Sequence, residues 1–533
     1  MVDITLQRVT FLCSNNGSLK WKMKCFQEDF ESCYLFILRY GESEFRCTLC
    51  GTSFNIARIR TVDEPFSAAW SIEDPRHFIC ALDDDADVKD NDYGDCSTAE
   101  TGCIWAVRNC QDIRHGTDEQ NAPAHRYQFF DMDDGRLPKF GQKLPMGKPL
   151  DEKAGRIGIR KLFLEHVAGP GCRCTKGYSG ANISLEEMRG CKTGQCLVYD
   201  NGDEEAAPDD LECETDSDYF LTGLADCMPF VEIGGTGVSP ARHSLDWIEP
   251  GDPFNNWFEP YMAVPFHPWC FGIYMKLSKL RLGRVEINHL VDYFDNIESY
   301  PRQYRDEPDP AVQKATGESW VHLKGDEWLA ANPFYMPKLR EILSRAMETG
   351  PSFSPQNGAF EPLISLTKIT TDPFARIPRE ILDMIIDNLS TKDIASLRLV
   401  SRQFYQLPVS VWHRLIQEDM PWLWEVWSYE KPYFWATVTE GDIQQNRGET
   451  RYELHEEQII THTINVDEHL AKWTMPMPTL SRTNWFLLYR DIKRHWNELR
   501  GLRNRRRIWN YQEGLIASLR MHVLSNADSS SMR

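Results

Sequence analysis

The distribution of cysteine divides this chain of 533 residues into two unlike parts. All 16 cysteines lie between Cys13 and Cys270, and the rest of the chain has none. Apolar and turn residues alternate near the N-terminus, which is typical of short strands, whereas helical spacing of apolar residues dominates from about Trp269. The sequence therefore predicts an α+β protein: a mixed N-terminal domain with long loops, followed by a mainly helical C-terminal region.

The charge of the chain limits its partners. The 59 basic and 79 acidic residues give a formal net charge of −20, and 41% hydrophobic residues indicate a globular protein. An acidic surface is poorly suited to nucleic acid or to anionic membranes, and we expect neither as a partner. Two acidic runs, 83–95 and 200–218, carry much of this charge, and such runs are usually surface loops.

Linker and helix signals suggest further divisions. Residues 300–320 and 349–362 are rich in proline and polar residues and are predicted linkers. Between them, residues 337–347 are predicted to form a helix, whose inward face is Leu339, Ile342, Leu343 and Ala346. Gly283 is a plausible stop for a helix that starts near Trp269. Two amphipathic helices are expected in the tail, over roughly 483–500 and 507–522.

Residues 376–416 contain several short amphipathic segments. Pro378 can open a helix, on which Ile381, Ile385 and Leu389 form an apolar stripe, thickened by Leu382 and Ile386. Ser390 and Asp393 form a capping-box-like start for a second helix, whose apolar face is Ile394, Leu397 and Val400. About 40 residues bury apolar surface poorly by themselves. This segment therefore either packs against its own chain or binds a partner.

The order of these residues resembles an F-box. The resemblance rests on Ile377-Pro378-x-Glu380-Ile381-Leu382, Leu389, Asp393-Ile394-x-x-Leu397-x-Leu399-Val400-Ser401-Arg402-x-Phe404 and Trp412. The flanking residues Met420 to Glu425 and Glu327 to Pro333 resemble F-box proteins of filamentous fungi. The predicted domains are 1–290 (mixed α/β), 291–371 (linker with a helical segment), 372–420 (F-box) and 421–533 (helical).

An F-box docks on the Skp-family adaptor of SCF-type (cullin-RING) ubiquitin ligases, while the rest of the protein usually captures a protein substrate. The resemblance implies such a substrate-recognition subunit, linked to a cullin through the adaptor; the alternative is an adaptor-bound scaffold or regulator without ubiquitination. We call the helical F-box segment that would bind the adaptor the clasp. The residues expected to bind the adaptor or to form the core of the clasp are Ile377, Pro378, Ile381, Leu382, Ile385, Leu389, Leu397, Val400 and Trp412.

A possible metal site is divided between two distant motifs. Cys47-Thr48-Leu49-Cys50-Gly51 has the spacing of a zinc knuckle, and His267-Pro268-Trp269-Cys270 lies at the start of a predicted helix. We expect Cys47, Cys50, His267 and Cys270 to share one structural zinc ion, with ordinary packing as the alternative. Other cysteines that could supply the second half are Cys172, Cys174, Cys191 and Cys196.

Known catalytic motifs are not found. Residues 190–193 lack the glycine that a P-loop needs before its lysine, and residues 455–459 lack the second histidine of a zincin. We therefore expect no enzymatic activity. The N-terminus lacks the pattern of a secretory signal, which favours the cytoplasm or nucleus. The basic run 490–507 is either a nuclear-localisation or nucleic-acid patch or the solvated side of a helix.

Overall fold

A computed structural model describes residues 46–70, 78–80, 96, 101–109, 128–131, 162–199, 211–224, 264–295, 309–316, 320–347, 372–404, 407–439, 441–443 and 465–531. The predictions for the acidic run 83–95, for the first part of the run 200–218 and for the linker 349–362 lie outside these residues. Within the described part, no helix is long and apolar enough to span a membrane.

The strands belong to the N-terminal part of the chain and form three small sheets. The strands are β1 Arg58–Ile59, β2 Phe78–Cys80, β3 Ile104–Asn109, β4 Gln128–Asp131, β5 Leu162–Val167, β6 Tyr178–Ser179, β7 Gln195–Tyr199, β8 Tyr219–Leu221 and β9 Val264–Phe266. Four of them form an antiparallel sheet in the order β2-β5-β3-β4, β7 lies between β8 and β9, and β1 pairs with β6 in parallel.

Helices dominate the rest of the described chain, which confirms the predicted α+β class and the helical C-terminal region. They are α1 Glu212–Thr215, α2 Pro268–Leu282, α3 Asn288–Asp295, α4 Pro310–Ala315, α5 Pro337–Met347, α6 Arg379–Asp387, α7 Thr391–Val400, α8 Val409–Asp419, α9 Val466–Trp473, α10 Trp485–Arg494 and α11 Arg500–Ser531. Short 3-10 turns include Glu327–Ala330, Pro373–Arg376, Arg402–Phe404 and Trp424–Val426.

Several helix limits agree closely with the sequence signals. Helix α5 has the predicted bounds, and its four predicted inward residues are all buried. Helix α2 stops before Gly283, whose φ of +83° is a left-handed conformation that glycine adopts without strain. The second tail helix is longer than predicted, since α11 starts at Arg500. The predicted linker 300–320 contains helix α4, which buries Val312 and Ala315 against the core.

One hydrophobic core connects the N-terminal part, the segment of α6 to α8 and the tail. It includes buried residues from Cys47 in the knuckle, through Leu382 in α6, to Leu519 in α11. Helix α11 packs along α2 and along the turn at residues 327–330. The core therefore crosses the predicted limits at residues 290 and 420, and the division into domains stays a prediction.

The acidic run predicted as a surface loop contains a buried carboxylate. Glu214 in α1 is almost fully buried. Its side chain accepts hydrogen bonds from the backbone N–H groups of Leu211 at 3.0 Å and Leu221 at 2.8 Å. Glu214 thus fixes the short helix α1 to strand β8. The acidic composition of this run predicted that Glu214 is exposed. A carboxylate can nevertheless be buried where hydrogen-bond donors satisfy its oxygens.

Much of the basic run 490–507 is exposed, as expected for the solvated side of a helix, but Arg505 departs from that expectation. Arg505 is buried, and it forms an ion pair with the equally buried Glu425, in which Nη1 lies 2.9 Å from both carboxylate oxygens. Its guanidinium carbon lies 3.6 Å from the centre of the Trp424 ring, and its Nε–H donates to the carbonyl of Pro333 at 2.9 Å. Arg505 therefore belongs to the interior, and neither solvent nor nucleic acid can reach it.

We predict that Arg505→Ala lowers the free energy of unfolding by about 3–5 kcal/mol, because the substitution leaves the Glu425 carboxylate buried without its cation. Urea unfolding of the purified chain measures the change. The matched control is Arg506→Ala at the exposed neighbouring position, for which we expect less than about 1 kcal/mol. Equal losses for the two variants would contradict the assignment of Arg505 to the interior.

Candidate functional site

Helix α6 is fixed by its buried side and by a cap at its C-terminus. Leu382 and Ile386 lie on the buried side. The guanidinium of Arg414, on α8, donates to the carbonyls of Ile386 at 2.8 Å and Asp387 at 2.9 Å, at the end of the helix. Helix α8 thus holds the end of α6 in place.

Helix α7 starts at the predicted cap. The backbone N–H of Asp393 donates to Ser390 Oγ at 3.3 Å, and the Ser390 hydroxyl donates to the Asp393 carboxylate at 2.6 Å. At the other end of α7, the Ser401 hydroxyl donates to the carboxylate of Asp372 at 2.7 Å. Since Asp372 precedes α6 by a few residues, the end of α7 lies beside the start of α6.

The structure separates the two roles that the sequence had grouped together. Leu382 and Trp412, two of the residues expected to bind the adaptor, are buried and serve as clasp core. Ile377, Ile385, Leu389 and Leu397 are half-buried, while Pro378, Ile381 and Val400 are exposed. The distinction arises from the helical turn, since residues one apart on a helix point in different directions.

Two exposed residues were not among the predicted contacts. Met384 is 61% exposed and Leu399 is 90% exposed, beside Ile381 at 45% and Val400 at 80%. We call these four residues the α6–α7 surface. Among the described residues, eight large apolar side chains are exposed, and half of them belong to this surface. These four residues lie within 20 positions of one another in the sequence. They could have been predicted as a surface by assigning the buried stripe first and then noting which apolar positions remain.

The segment is joined firmly to the rest of the chain through α8 and α10. The ring of Trp412 lies 5.0 Å from that of Phe486 and 5.7 Å from that of Tyr489, and His413 packs edge-on against Trp485 at 4.4 Å. Helix α10 in turn packs on α5. The α6–α7 surface is thus held in a fixed orientation relative to the body.

The second candidate site begins with the turn at residues 47–52. The N–H of Gly51 donates to the carbonyl of Cys47 at 2.7 Å, and the N–H of Cys47 donates to the carbonyl of Thr52 at 2.9 Å. Gly51 has a φ of +72°, which the predicted knuckle requires. The turn points the thiols of Cys47 and Cys50 into the interior, where both are buried.

The structure brings the four predicted metal ligands together. Cys50 Sγ lies 3.6 Å and Cys270 Sγ 4.0 Å from His267 Nδ1. One ligand atom from each of Cys47, Cys50, His267 and Cys270 lies within 4.8 Å of all the others, and all four residues are buried. The two halves are also tied by the backbone, because the Thr48 N–H donates to the carbonyl of Pro265 at 3.0 Å. This arrangement can hold a metal ion.

Hydrogen bonds orient the ligand atoms. His267 Nε2 lies 3.0 Å from the carbonyl oxygen of Cys191. Because a carbonyl only accepts, Nε2 carries the proton and Nδ1 presents its lone pair to the thiols. Metal-binding histidines are commonly oriented in this way, through a hydrogen bond from the ring nitrogen that does not bind the metal. Backbone N–H groups of His267 and Thr52 point at the sulfurs of Cys47, at 3.3 Å, and Cys50, at 3.5 Å. Cys191 thus contributes its carbonyl rather than its thiol.

The thiols of this cluster differ in their acidity. Burial raises the pKa of Cys47 and of Cys270 well above the usual range. Burial also opposes ionisation of Cys50, but hydrogen bonds from Cys270, Cys47 and His267 outweigh it and hold the pKa of Cys50 well below that range. Thiolates buried side by side repel one another, so three of them together need a positive charge among them.

We predict that Leu382→Ala lowers the free energy of unfolding by about 2–5 kcal/mol, because it leaves a cavity in the clasp core. The matched control is Leu399→Ala, which removes the same atoms from an exposed site and should change stability by less than about 0.5 kcal/mol. Urea unfolding with tryptophan fluorescence as the signal distinguishes the two. A loss for Leu399→Ala as large as that for Leu382→Ala would contradict the separation of core from surface.

Comparison with known proteins bears on the first of these sites. Residues 374–418 match the family model described as F-box-like. No curated protein and no solved structure matches the chain. The matched residues begin in the 3-10 turn before α6 and end in α8, so they contain the whole α6–α7 surface and the clasp core beneath it. The chain therefore contains an F-box-like segment, of the kind that binds Skp-family adaptors.

Proposed function

We propose that this chain is the substrate-recognition subunit of an SCF-type ubiquitin ligase and that it docks on a Skp-family adaptor through the α6–α7 surface. The observation that carries the proposal is the concentration of exposed apolar side chains in the segment that matches the F-box-like family. Exposed apolar patches of this kind mark interaction sites, since burying them against a partner is favourable.

The energetics support a docking role for this surface. Full burial of a large aliphatic side chain contributes about 1.5–3 kcal/mol. Ile381, Met384, Leu399 and Val400 are each about half exposed or more, so a complementary apolar groove would gain several kcal/mol from them. The clasp core beneath them is already complete, because Leu382, Ile386 and Trp412 are buried within this chain. The surface can therefore form contacts without unfolding the segment.

The rigid connection between α8 and α10 supports a role in presenting a client. A subunit that delivers a protein for ubiquitin transfer has to hold it at a defined distance from the adaptor, and packed helices do this better than a flexible linker. The client would bind outside the F-box-like segment, and the adaptor would supply the connection to a cullin. The proposal assigns no catalytic step to the chain itself.

The competing proposal is an adaptor-bound scaffold or regulator without ubiquitination. Both functions share the docking surface, and they differ in the events after adaptor binding. Recruitment of a cullin, together with a protein that accumulates when docking is disrupted, would favour the ligase subunit. Adaptor binding with neither of these would favour the scaffold.

We predict that Ile381→Glu combined with Val400→Glu weakens adaptor binding at least about 100-fold, because two carboxylates would be desolvated without partners in the interface. Isothermal titration of the purified full chain with the adaptor measures the loss. The urea midpoint should stay within error of the wild type, since both positions are exposed in the free chain.

The matched control is Leu480→Glu, which places the same charge at an exposed leucine outside the F-box-like segment. This variant should bind the adaptor as the wild type does. Unchanged binding by the double variant, or an equal loss in both, would refute docking through the α6–α7 surface.

We also propose that Cys47, Cys50, His267 and Cys270 hold one structural zinc ion. Three thiolates and one imidazole form the ligand set of closed tetrahedral zinc sites, which leave no position for a substrate or a reactive water. The convergence of four buried donors from segments 217 residues apart supports this proposal over ordinary packing. The ion would close the chain between the knuckle and helix α2.

The environment of the cluster supplies a matching charge. Three thiolates and Zn²⁺ carry a net charge of −1. The buried guanidinium of Arg507 donates to the carbonyl of Cys50 at 2.6 Å and to Thr52 Oγ1 at 3.0 Å. Its hydrogen-bond partners within the described chain, which also include Asn504 Oδ1, are neutral. A buried cation needs a counter-charge, and the zinc–thiolate cluster would provide it.

We predict that Cys50→Ser combined with Cys270→Ser removes one equivalent of zinc per chain, because two ligands are lost. The same change should lower the thermal unfolding midpoint by more than about 5 °C, since metal binding is coupled to folding. Elemental analysis by inductively coupled plasma mass spectrometry counts the metal. Cys213→Ser, at a half-buried cysteine outside the cluster, is the matched control. A zinc content equal to that of the wild type would reject the site.

A further inference from the structure

A second group of cysteines and a histidine lies apart from the first. Ligand atoms of Cys96, Cys103, His166 and Cys172 all lie within 4.8 Å of one another, and all four residues are buried. Two of the distances are 3.8 Å, between the sulfurs of Cys96 and Cys172, and 4.0 Å, between Cys172 Sγ and His166 Nε2. We infer that these four side chains hold a second structural zinc ion.

The register of the four-stranded sheet places two of the ligands side by side. His166 in β5 pairs with Trp105 in β3, two residues after Cys103. The chain then turns back, since the Cys172 N–H donates to the carbonyl of Gly169 at 3.0 Å and the Gly171 N–H donates to the carbonyl of Thr101 at 2.9 Å. The turn brings Cys172 to the same end of the sheet.

Cys96 is fixed by the segment that leads into β3. The Thr101 hydroxyl donates to the carbonyl of Cys96 at 3.1 Å, and the Cys103 N–H donates back to Thr101 Oγ1 at 3.3 Å. Between these residues Gly102 has a φ of +63°, a left-handed conformation that glycine adopts without strain. The ligands thus come from the stretch before β3, from strand β5 and from the loop after β5.

Backbone donors point at the sulfurs in this cluster as they do in the first. The Gly169 N–H lies 3.4 Å from Cys103 Sγ, and the Arg173 N–H lies 3.2 Å from Cys96 Sγ. A neutral thiol is a weak acceptor, whereas a thiolate is a metal ligand and gains from such donors. The two clusters therefore share their composition of three cysteines and one histidine, their burial and this set of N–H to sulfur contacts.

The geometry suits a metal ion better than a disulfide. A disulfide needs its sulfurs about 2.05 Å apart, whereas tetrahedral ligands at a zinc–sulfur distance of about 2.3 Å lie nearly 4 Å from each other. The separation of 3.8 Å between Cys96 and Cys172 fits the second arrangement. Soft thiolates with one imidazole and no open position select zinc in a structural role.

The second ion would connect the four-stranded sheet with the body. The Ala168 N–H, two residues after His166, donates to the carbonyl of Arg60 at 2.8 Å. The His322 N–H donates to the carbonyl of Thr175 at 2.9 Å, three residues after Cys172. The loop that carries the ligands is therefore held on both sides by the main core. Loss of the metal would release the end of the sheet from that core.

The test is the zinc content of the full chain and of its variants, counted by inductively coupled plasma mass spectrometry after dialysis against metal-free buffer. We expect two zinc ions per wild-type chain, one in Cys96→Ser/Cys172→Ser, one in Cys50→Ser/Cys270→Ser and two in the control Cys213→Ser. A single wild-type zinc that Cys96→Ser/Cys172→Ser retains would overturn the second site. A single zinc lost in that variant and retained in Cys50→Ser/Cys270→Ser would keep the second site and reject the first.

A measurement on the wild type alone guards against variants that fail to fold. Native mass spectrometry should give a mass increase of two zinc ions, and zinc X-ray absorption should fit three sulfurs and one nitrogen per metal. Peptide mapping after alkylation without reductant should find Cys96 and Cys172 as separate alkylated thiols. A peptide cross-linked between these two cysteines, or a mass increase of one zinc that belongs to the first site, would refute the inference.

Discussion

The fold depends on the closure of residues 47–50 against residues 265–270. Joining two segments 217 residues apart costs about 5 kcal/mol in chain entropy, and the meeting point has to offset it. The backbone of Thr48 binds that of Pro265, and the buried amide of Gln512 donates to the carbonyls of Leu49 at 3.2 Å and Cys270 at 3.0 Å. One side chain of the last helix therefore bridges both halves of the first cysteine–histidine cluster. A zinc ion at that cluster would join the two segments through metal–ligand bonds. These bonds would help to offset the entropic cost of closing the chain at this point.

The F-box-like segment likewise depends on contacts with the rest of the chain. Its 45 residues are too few to complete a core by themselves. One face of α8 packs against α6 and α7, and the other packs against α10, where Trp412 contacts Phe486 and Tyr489. Once that core is filled, the apolar residues that remain face outward on α6 and α7. Stability and the proposed docking would thus depend on different residues of one amphipathic pattern. The exposed residues could then be changed without loss of the fold that presents them.

The sequence predicted those features that periodicity and local chemistry decide. Helix α5, the stop at Gly283 and the cap at Ser390 result from spacing and turn chemistry, and the meeting of Cys47 and Cys50 with His267 and Cys270 was predicted because both halves have recognisable spacing. The second cluster has a weaker signal, because Cys172 was named only as a candidate for the first site and the ligands converge through the pairing of β3 with β5 and the loop after β5. The charge pattern wrongly predicted that Arg505 and Glu214 are exposed. Such a pattern shows that a residue is charged but cannot show whether the core contains a partner for it.

Helix α11 connects the two candidate sites physically. Arg505 binds Glu425 just beyond the F-box-like segment, and two residues later Arg507 binds the carbonyl of Cys50 in the knuckle. Two arginines of a basic run that is otherwise largely exposed thus point inward, one to an acidic partner and one to the backbone of the turn that carries Cys50. Since each guanidinium is buried, neither contact can be released without exposing a charge to the apolar interior. The first cysteine–histidine cluster and the F-box-like segment therefore belong to one packed unit, and under the proposed function a client bound to that unit would keep a fixed orientation toward the adaptor.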